Sequence, residues 1–147
     1  MYKHILIPTD GSQIAEKAVQ AGIDFARDAG ARVTWFTAVP EYQLPSEIEM
    51  MNRRATPLEE HSELSRAKAE EILAGPAQRS CAAGIACDTD YAQSNHPYEA
   101  IIAAAQRHGC DLIFMASHGR KLLPALFFGS ETRDVLTHSS IPTLVYR

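Results

Sequence analysis

Short apolar runs alternate along this chain with longer segments in which apolar residues recur every three or four positions. His4-Ile5-Leu6-Ile7-Pro8 is a run of the kind buried on both faces of a parallel sheet, and Thr9-Asp10-Gly11-Ser12 ends it with turn and cap residues. Between residues 13 and 29, Ala15, Ala18, Val19, Gly22, Ile23 and Ala26 fall at helical spacing, with Glu16, Lys17, Gln20, Asp24 and Arg27 on the other faces. Gly30 stops that helix. The β-branched and aromatic stretch from Arg32 to Val39 reads as a second strand, closed by Pro40.

Residues 40 to 56 show no clear sheet alternation. Links longer than about 12 to 15 residues are usually functional, so this one is a candidate lid. Thr56 as N-cap, Pro57 at the first helical position and Glu59 in the first turn predict a long helix to about Ala82, ended by Gly84. The run from Ile85 to Ala92 alternates apolar and polar residues, as a strand with one wetter face does at a sheet edge. Asn95-His96-Pro97 opens a helix with an apolar stripe of Tyr98, Ile101, Ile102 and Ala105, and Gly109 ends it. A fourth strand at 111 to 116, a last helix from Ser130 to His138 and a fifth strand at 141 to 146 complete the pattern. Five strands interleaved with four helices predict an α/β fold. Its core is an open five-stranded parallel sheet with helices on both faces, right-handed crossovers and strand order 3-2-1-4-5. Ligands in such sheets bind above the strand C-termini at the switch point, where Pro8-Thr9-Asp10, Val39 and the segment from Met115 to Ser130 converge.

Composition narrows the class. With 147 residues, 46% hydrophobic and 22% charged, the chain is expected to form one domain over residues 1–147. Its net charge of −4 and the absence of a basic block argue against nucleic acid or an anionic membrane as partner. No stretch approaches the roughly 18 apolar residues of a membrane span, and Met1-Tyr2-Lys3-His4 leads straight into a strand, so a cytoplasmic location is expected. Cys81, Cys87 and Cys110 are odd in number and lack Cys-x-x-Cys spacing, which predicts neither a disulfide framework nor a zinc site.

The chemistry concentrates between the fourth strand and the last helix. A strand leading through Ser117-His118-Gly119-Arg120-Lys121 to a helix opened by Gly129-Ser130 aims unpaired N–H groups and a positive helix end at one spot, an anion site. The chain has no Gly-x4-Gly-Lys-Ser/Thr run, and no Gly-x-Gly-x-x-Gly follows the first strand. His118 has no recognisable carboxylate or nucleophile around it, so no catalytic residues are assigned. Asp88 and Asp90 could suggest a phosphoacceptor, but the acidic pair that such a domain needs after its first strand is reduced to Asp10. His96 and His138 read as turn and helix-dipole partners, while His4, His61 and His108 carry no signal.

Over its whole length the chain resembles the universal stress protein family, part of the adenine-nucleotide α-hydrolase-like group. That family's nucleotide-binding version reads Gly-x2-Gly-x9-Gly-Ser/Thr. Here Ala116-Ser117-His118-Gly119, nine residues and Gly129-Ser130 keep the spacing and all but the first glycine. Residues 5–12, Ile-Leu-Ile-Pro-Thr-Asp-Gly-Ser, match its first strand and turn, and residues 137–145 match its C-terminus. The resemblance implies that Asp10, beside Thr9, sits near ribose and base. It implies that Val39 offers backbone groups to the adenine edge, and that Met115 and Pro8 wall the base. Gly119, Gly129, Ser130 and Glu131 would present N–H groups to the phosphates, with the Ser130 hydroxyl added and His118 and Arg120 alongside. Ala116 departs from the pattern, adding a methyl where ribose approaches and costing about 1 kcal/mol or more if a positive φ is required there.

The implied function is that of a regulatory protein of the stress response binding ATP, or ADP or AMP, with Mg²⁺ as a candidate companion of the phosphates. Such a protein is non-catalytic or at most a slow ATPase. The alternative is a dimeric protein-interaction module without tight nucleotide binding, serving an unidentified protein partner. A terminal apolar strand with nothing after it to cover it predicts pairing across a two-fold axis, and the resemblance likewise implies a homodimer through that strand.

Overall fold

The computed structural model describes residues 1–53, 56–117 and 129–147. Five parallel strands, β1 (His4–Pro8), β2 (Arg32–Val39), β3 (Cys87–Gln93), β4 (Leu112–Ala116) and β5 (Thr143–Tyr146), form one sheet in the order β3-β2-β1-β4-β5. The order reverses beside β1, which pairs with β2 (Ile5↔Val33, Ile7↔Trp35) and with β4 (Ile5↔Leu112, Leu6↔Ile113). The expected fold class and strand order are therefore those of the structure.

Side-chain alternation along the buried strands splits the interior in two. Ile5, Ile7, Val33, Trp35 and Phe114 pack with Val19, Ile23 and Ala26 of α1 (Gln13–Ala29) and with Leu73 of α3 (Leu58–Ala82). Leu6, Phe36, Ile113 and Met115 pack with Ile101, Ala104 and Ala105 of α4 (Pro97–Arg107) and with Val135 of α5 (Ser130–His138). Helix α1 begins where the sequence predicts, with the Ser12 hydroxyl accepting the Ala15 N–H at 3.3 Å, and ends on Gly30 at φ 65°. Helix α3 reaches the sheet through small residues, since its buried positions are Ser65, Ala69, Leu73, Pro76 and Ser80. Ser80 accepts the Trp35 indole N–H at 2.8 Å.

The structure adds one helix and moves the expected starts of α3, β3 and β5, each where a hydrogen bond claims the chain. The 40-to-56 link contains a fifth helix, α2 (Glu47–Met51), closed by a reciprocal cap in which Ser46 and Glu49 bond each other's main-chain N–H groups. Pro57 rather than Thr56 is the N-cap of α3, because the Thr56 carbonyl turns to accept the Tyr42 hydroxyl at 2.9 Å. β3 starts at Cys87 rather than Ile85, whose N–H bonds the Ser80 carbonyl at 2.9 Å in the exit of α3. β5 starts at Thr143 rather than Ile141, whose N–H is held by the Ser139 hydroxyl at 3.0 Å.

Candidate functional site

Three strand ends meet above the sheet. At the end of β1, the buried Thr9 donates its N–H to the Phe36 carbonyl at 2.9 Å, and its hydroxyl accepts the Gly11 N–H at 3.2 Å. Asp10 Oδ1 accepts the Ser12 N–H at 2.9 Å, a turn that orients the carboxylate next to the start of α1. Gly11 makes that turn at φ 75°, where an added Cβ would also stand 3.1 Å from Ile72 Cγ1.

At the end of β2, Val39 is buried and its carbonyl accepts the Ser94 N–H at 2.8 Å. The backbone group expected at an adenine edge is thus already engaged, with one lone pair left.

At the end of β4, the Ser117 N–H bonds the Tyr146 carbonyl and the Gly129 N–H bonds the Ser117 carbonyl, both at 2.8 Å. The buried Thr132 hydroxyl lies 2.9 Å from the Ala116 carbonyl and 3.3 Å from that of Ser117, fastening the first turn of α5 to the strand. Gly129 is the N-cap residue and carries φ −59°, ψ 154°. The N–H groups of Ser130, Glu131 and Thr132 fall in the first turn of α5, where no intrahelical acceptor exists.

Pro8 ends β1 and leads to Thr9 and Asp10, Met115 and Ala116 end the neighbouring strand β4, and Gly129, Ser130 and Glu131 stand at the start of α5, where several of their groups are engaged within the chain. The Gly129 N–H is spent on Ser117, so it does not face an anion. The Glu131 carboxylate leaves its own helix and accepts the Tyr98 N–H at 2.7 Å, capping α4. The Met115 side chain is 6% exposed and belongs to the core against α4 and α5, so it does not form an open wall. Ala116 lies in β4 paired with Tyr146 and does not carry a positive φ, which removes the backbone strain considered for it. His118, Gly119 and Arg120 lie outside the described residues, as does Lys121.

A groove of about 750 Å³ opens between the start of α1 and α3, lined by residues including Asp10, Ser12, Lys68 and Arg79. Arg79 spans it to Glu16 at 2.9 Å. The groove reaches the strand ends at the β1 turn, through Asp10 and Gly11. Among the described residues, no group of three or more His, Cys, Asp or Glu side chains is placed to hold a metal ion. No helix among the described residues is long and apolar enough to cross a membrane.

Three polar contacts passed over in the sequence lie elsewhere. His4 Nε2 is 2.8 Å from Thr34 Oγ1, and burial, with Arg32 and His108 adding to it, pushes the imidazole below its ordinary value. Asp90 meets His108 Nε2 at 2.8 Å and also pairs with Arg107. Burial alone would raise this carboxyl, but the His108 and Arg107 hydrogen bonds outweigh it and hold it below the usual range. His61 faces the Pro40 carbonyl at 3.3 Å. His138 does lie where a dipole partner should, its Nδ1 2.8 Å from the Asp134 carbonyl near the end of α5.

The sequence profile of the Universal stress protein family matches residues 1–147. A universal stress protein encoded in the 3′ region of a QAH/OAS sulfhydrylase gene in Thermus aquaticus is 30% identical over 151 residues, spanning all of both chains. Among solved structures, the universal stress protein UspA from Lactobacillus plantarum superposes with TM-score 0.80 at 22% identity, over 99% of this chain and 98% of that one. The universal stress protein of Archaeoglobus fulgidus in complex with dAMP does so with TM-score 0.68 at 18% identity, over 99% and 98%.

Proposed function

Because this chain belongs to the universal stress protein family, we propose that it binds an adenine nucleotide above the carboxyl ends of β1 and β4 and acts as a regulatory protein of the stress response. ATP is the ligand we favour, ahead of ADP and AMP. The observation that carries this reading is the start of α5. Its first-turn N–H groups stand at the end of β4, the strand that pairs with β1, and Thr132 fastens this helix turn to β4. Donors held in place before binding cost nothing to organise when an anion arrives.

Ala116 fits the same reading, since a methyl on a regular strand residue takes little room from a ribose. Glu131 supports it as well, because its charge is drawn toward α4 and competes less with phosphate for the helix end. The dAMP complex of the Archaeoglobus relative is the external support for an adenine ligand. Mg²⁺ would enter with the phosphates, as it does wherever one or two protein oxygens complete its shell. The functional unit in this proposal is one domain that pairs through β5 into a homodimer and works in the cytoplasm. Ligand occupancy is its signal, and nucleotide turnover, if any, is slow.

Calorimetric titration of nucleotide-stripped protein with ATP, with and without Mg²⁺, tests this. Micromolar affinity, about −8 kcal/mol, that weakens in Gly129→Val supports the reading. Absence of both heat and thermal shift in the unaltered protein would overturn it and leave the interaction module.

A further inference from the structure

Six of the nine large apolar side chains exposed among the described residues lie between positions 44 and 64. Leu44, Ile48, Met50, Met51, Leu58 and Leu64 are between 57% and 88% exposed, and no residue of α2 is buried. Ser46 and Glu49 close this helix at its start by a reciprocal cap. Its flanks are nonetheless held against α3: Tyr42 donates to the Thr56 carbonyl at 2.9 Å and stacks edge-on with His61 at 5.3 Å. A hollow of about 350 Å³ opens among these flanks, lined by Tyr42, Pro45, Glu49 and His61 with others.

The same stretch gathers charge of one sign. From position 41 to 64 there are six glutamates (Glu41, Glu47, Glu49, Glu59, Glu60, Glu63) and two arginines, so its net charge of −4 equals that of the whole chain. These apolar side chains, set in an acidic surround, belong to neither buried cluster of the lone chain. They match a partner with the opposite pattern.

We propose that α2 and the first turns of α3 form a docking surface for a basic amphipathic helix of a partner protein. Methionine and leucine side chains repack around varied apolar faces, which suits a surface that receives a helix side. The glutamates would meet lysines or arginines flanking that apolar stripe and speed encounter. A second copy of this chain would bring its own −4 surface against this one, and an anionic bilayer would be repelled in the same way. The proposal does not depend on nucleotide binding.

The probe is a fluorescent 18-residue peptide of leucine and lysine at amphipathic helical spacing, with a glutamate-for-lysine peptide as control, followed by anisotropy against the whole chain. Binding of the lysine peptide alone, weakened at least about tenfold by Ile48→Asp with Met51→Asp, is the expected result. That pair makes the surface more acidic, so unchanged or tighter binding in it would mean bare charge attraction and overturn the proposal. Glu59→Gln, Glu60→Gln and Glu63→Gln together should weaken binding and flatten its salt dependence. No binding up to about 100 µM, well above a micromolar Kd, would overturn it. So would self-association abolished by the Asp pair, which would make a second copy the occupant. Loss of peptide binding on adding ATP, with Met50 and Met51 becoming protected from oxidation, would make the segment a lid and overturn it equally.

Discussion

The Gly129 N–H and the Ser117 carbonyl, 2.8 Å apart, join the chain just before residue 118 to the chain just after residue 128. The end of β4 and the start of α5 are therefore one fixed unit whatever occupies the space above them. The glycine at 129 has no conformational necessity of its own, since φ −59° and ψ 154° are open to any residue.

Gly129→Val puts a poor capping residue at the N-cap of α5, which should cost about 1 kcal/mol of folding stability, while lowering ATP affinity by tenfold or more, about 1.4 kcal/mol. Urea unfolding beside calorimetric titration separates the two effects. A stability loss far beyond that of a cap would mean that the valine disrupts the fold and says nothing of the phosphates.

Ser80→Ala removes the acceptor of the buried Trp35 indole N–H, with neither side chain exposed to solvent. An orphaned buried donor costs about 1–3 kcal/mol, and that is the expected drop in unfolding free energy. Chemical denaturation monitored by the fluorescence of this tryptophan, the single one in the chain, measures it directly.

Glu131 acts on α4 through the Tyr98 N–H. Glu131→Ala should cost about 1 kcal/mol, the usual worth of a lost helix cap, and Glu131→Gln less because an acceptor remains. Nucleotide affinity should stay level or rise in the Gln variant, since a negative charge leaves the neighbourhood of the α5 N-terminus. A large loss of ATP binding in Glu131→Gln would mean that the carboxylate itself holds the ligand or its Mg²⁺.

Acid should destabilise the chain in two stages. His4 is held below 6.5, so the unfolded state takes up its proton first, and stability falls as pH drops from about 6.5 toward the folded-state value. Asp90 is held below 3.8, so its contribution is present above that value and is lost as pH falls through the lower folded-state one. His4→Gln should flatten the decline that begins as pH falls through about 6.5 and leave the more acidic stage intact. An unchanged slope in that variant would show that another group titrates there.

The sheet order and the meeting of β1, β4 and α5 are legible in the sequence because short apolar runs, prolines and glycines mark each element. At the strand ends, the deviations come from partners distant along the chain. The spacing of Gly129 reveals a helix start, but its N–H is claimed by Ser117 only once β4 has paired with β5. Glu131 reads as a first-turn acid, and nothing local shows that Tyr98 lies within its reach. Helix α3 hides its buried face because Ser65, Ala69 and Ser80 have no hydrophobic signature, and their fitness lies in being small. The Ser46-x-x-Glu49 pair is a readable cap signature, yet the single turn it closes is too short to register as periodicity.

Alternation along β1 places Ile5 and Ile7 on the side of α1 and α3 and Leu6 on the side of α4 and α5. The sheet is thus a partition. The two sides hold separate buried clusters, so the energetic effects of well-separated substitutions on them should add. The helix start that we assign to the nucleotide and the exposed turns that we assign to a partner lie across that partition. Each is free to change during descent from a common ancestor without forcing the other to be rebuilt.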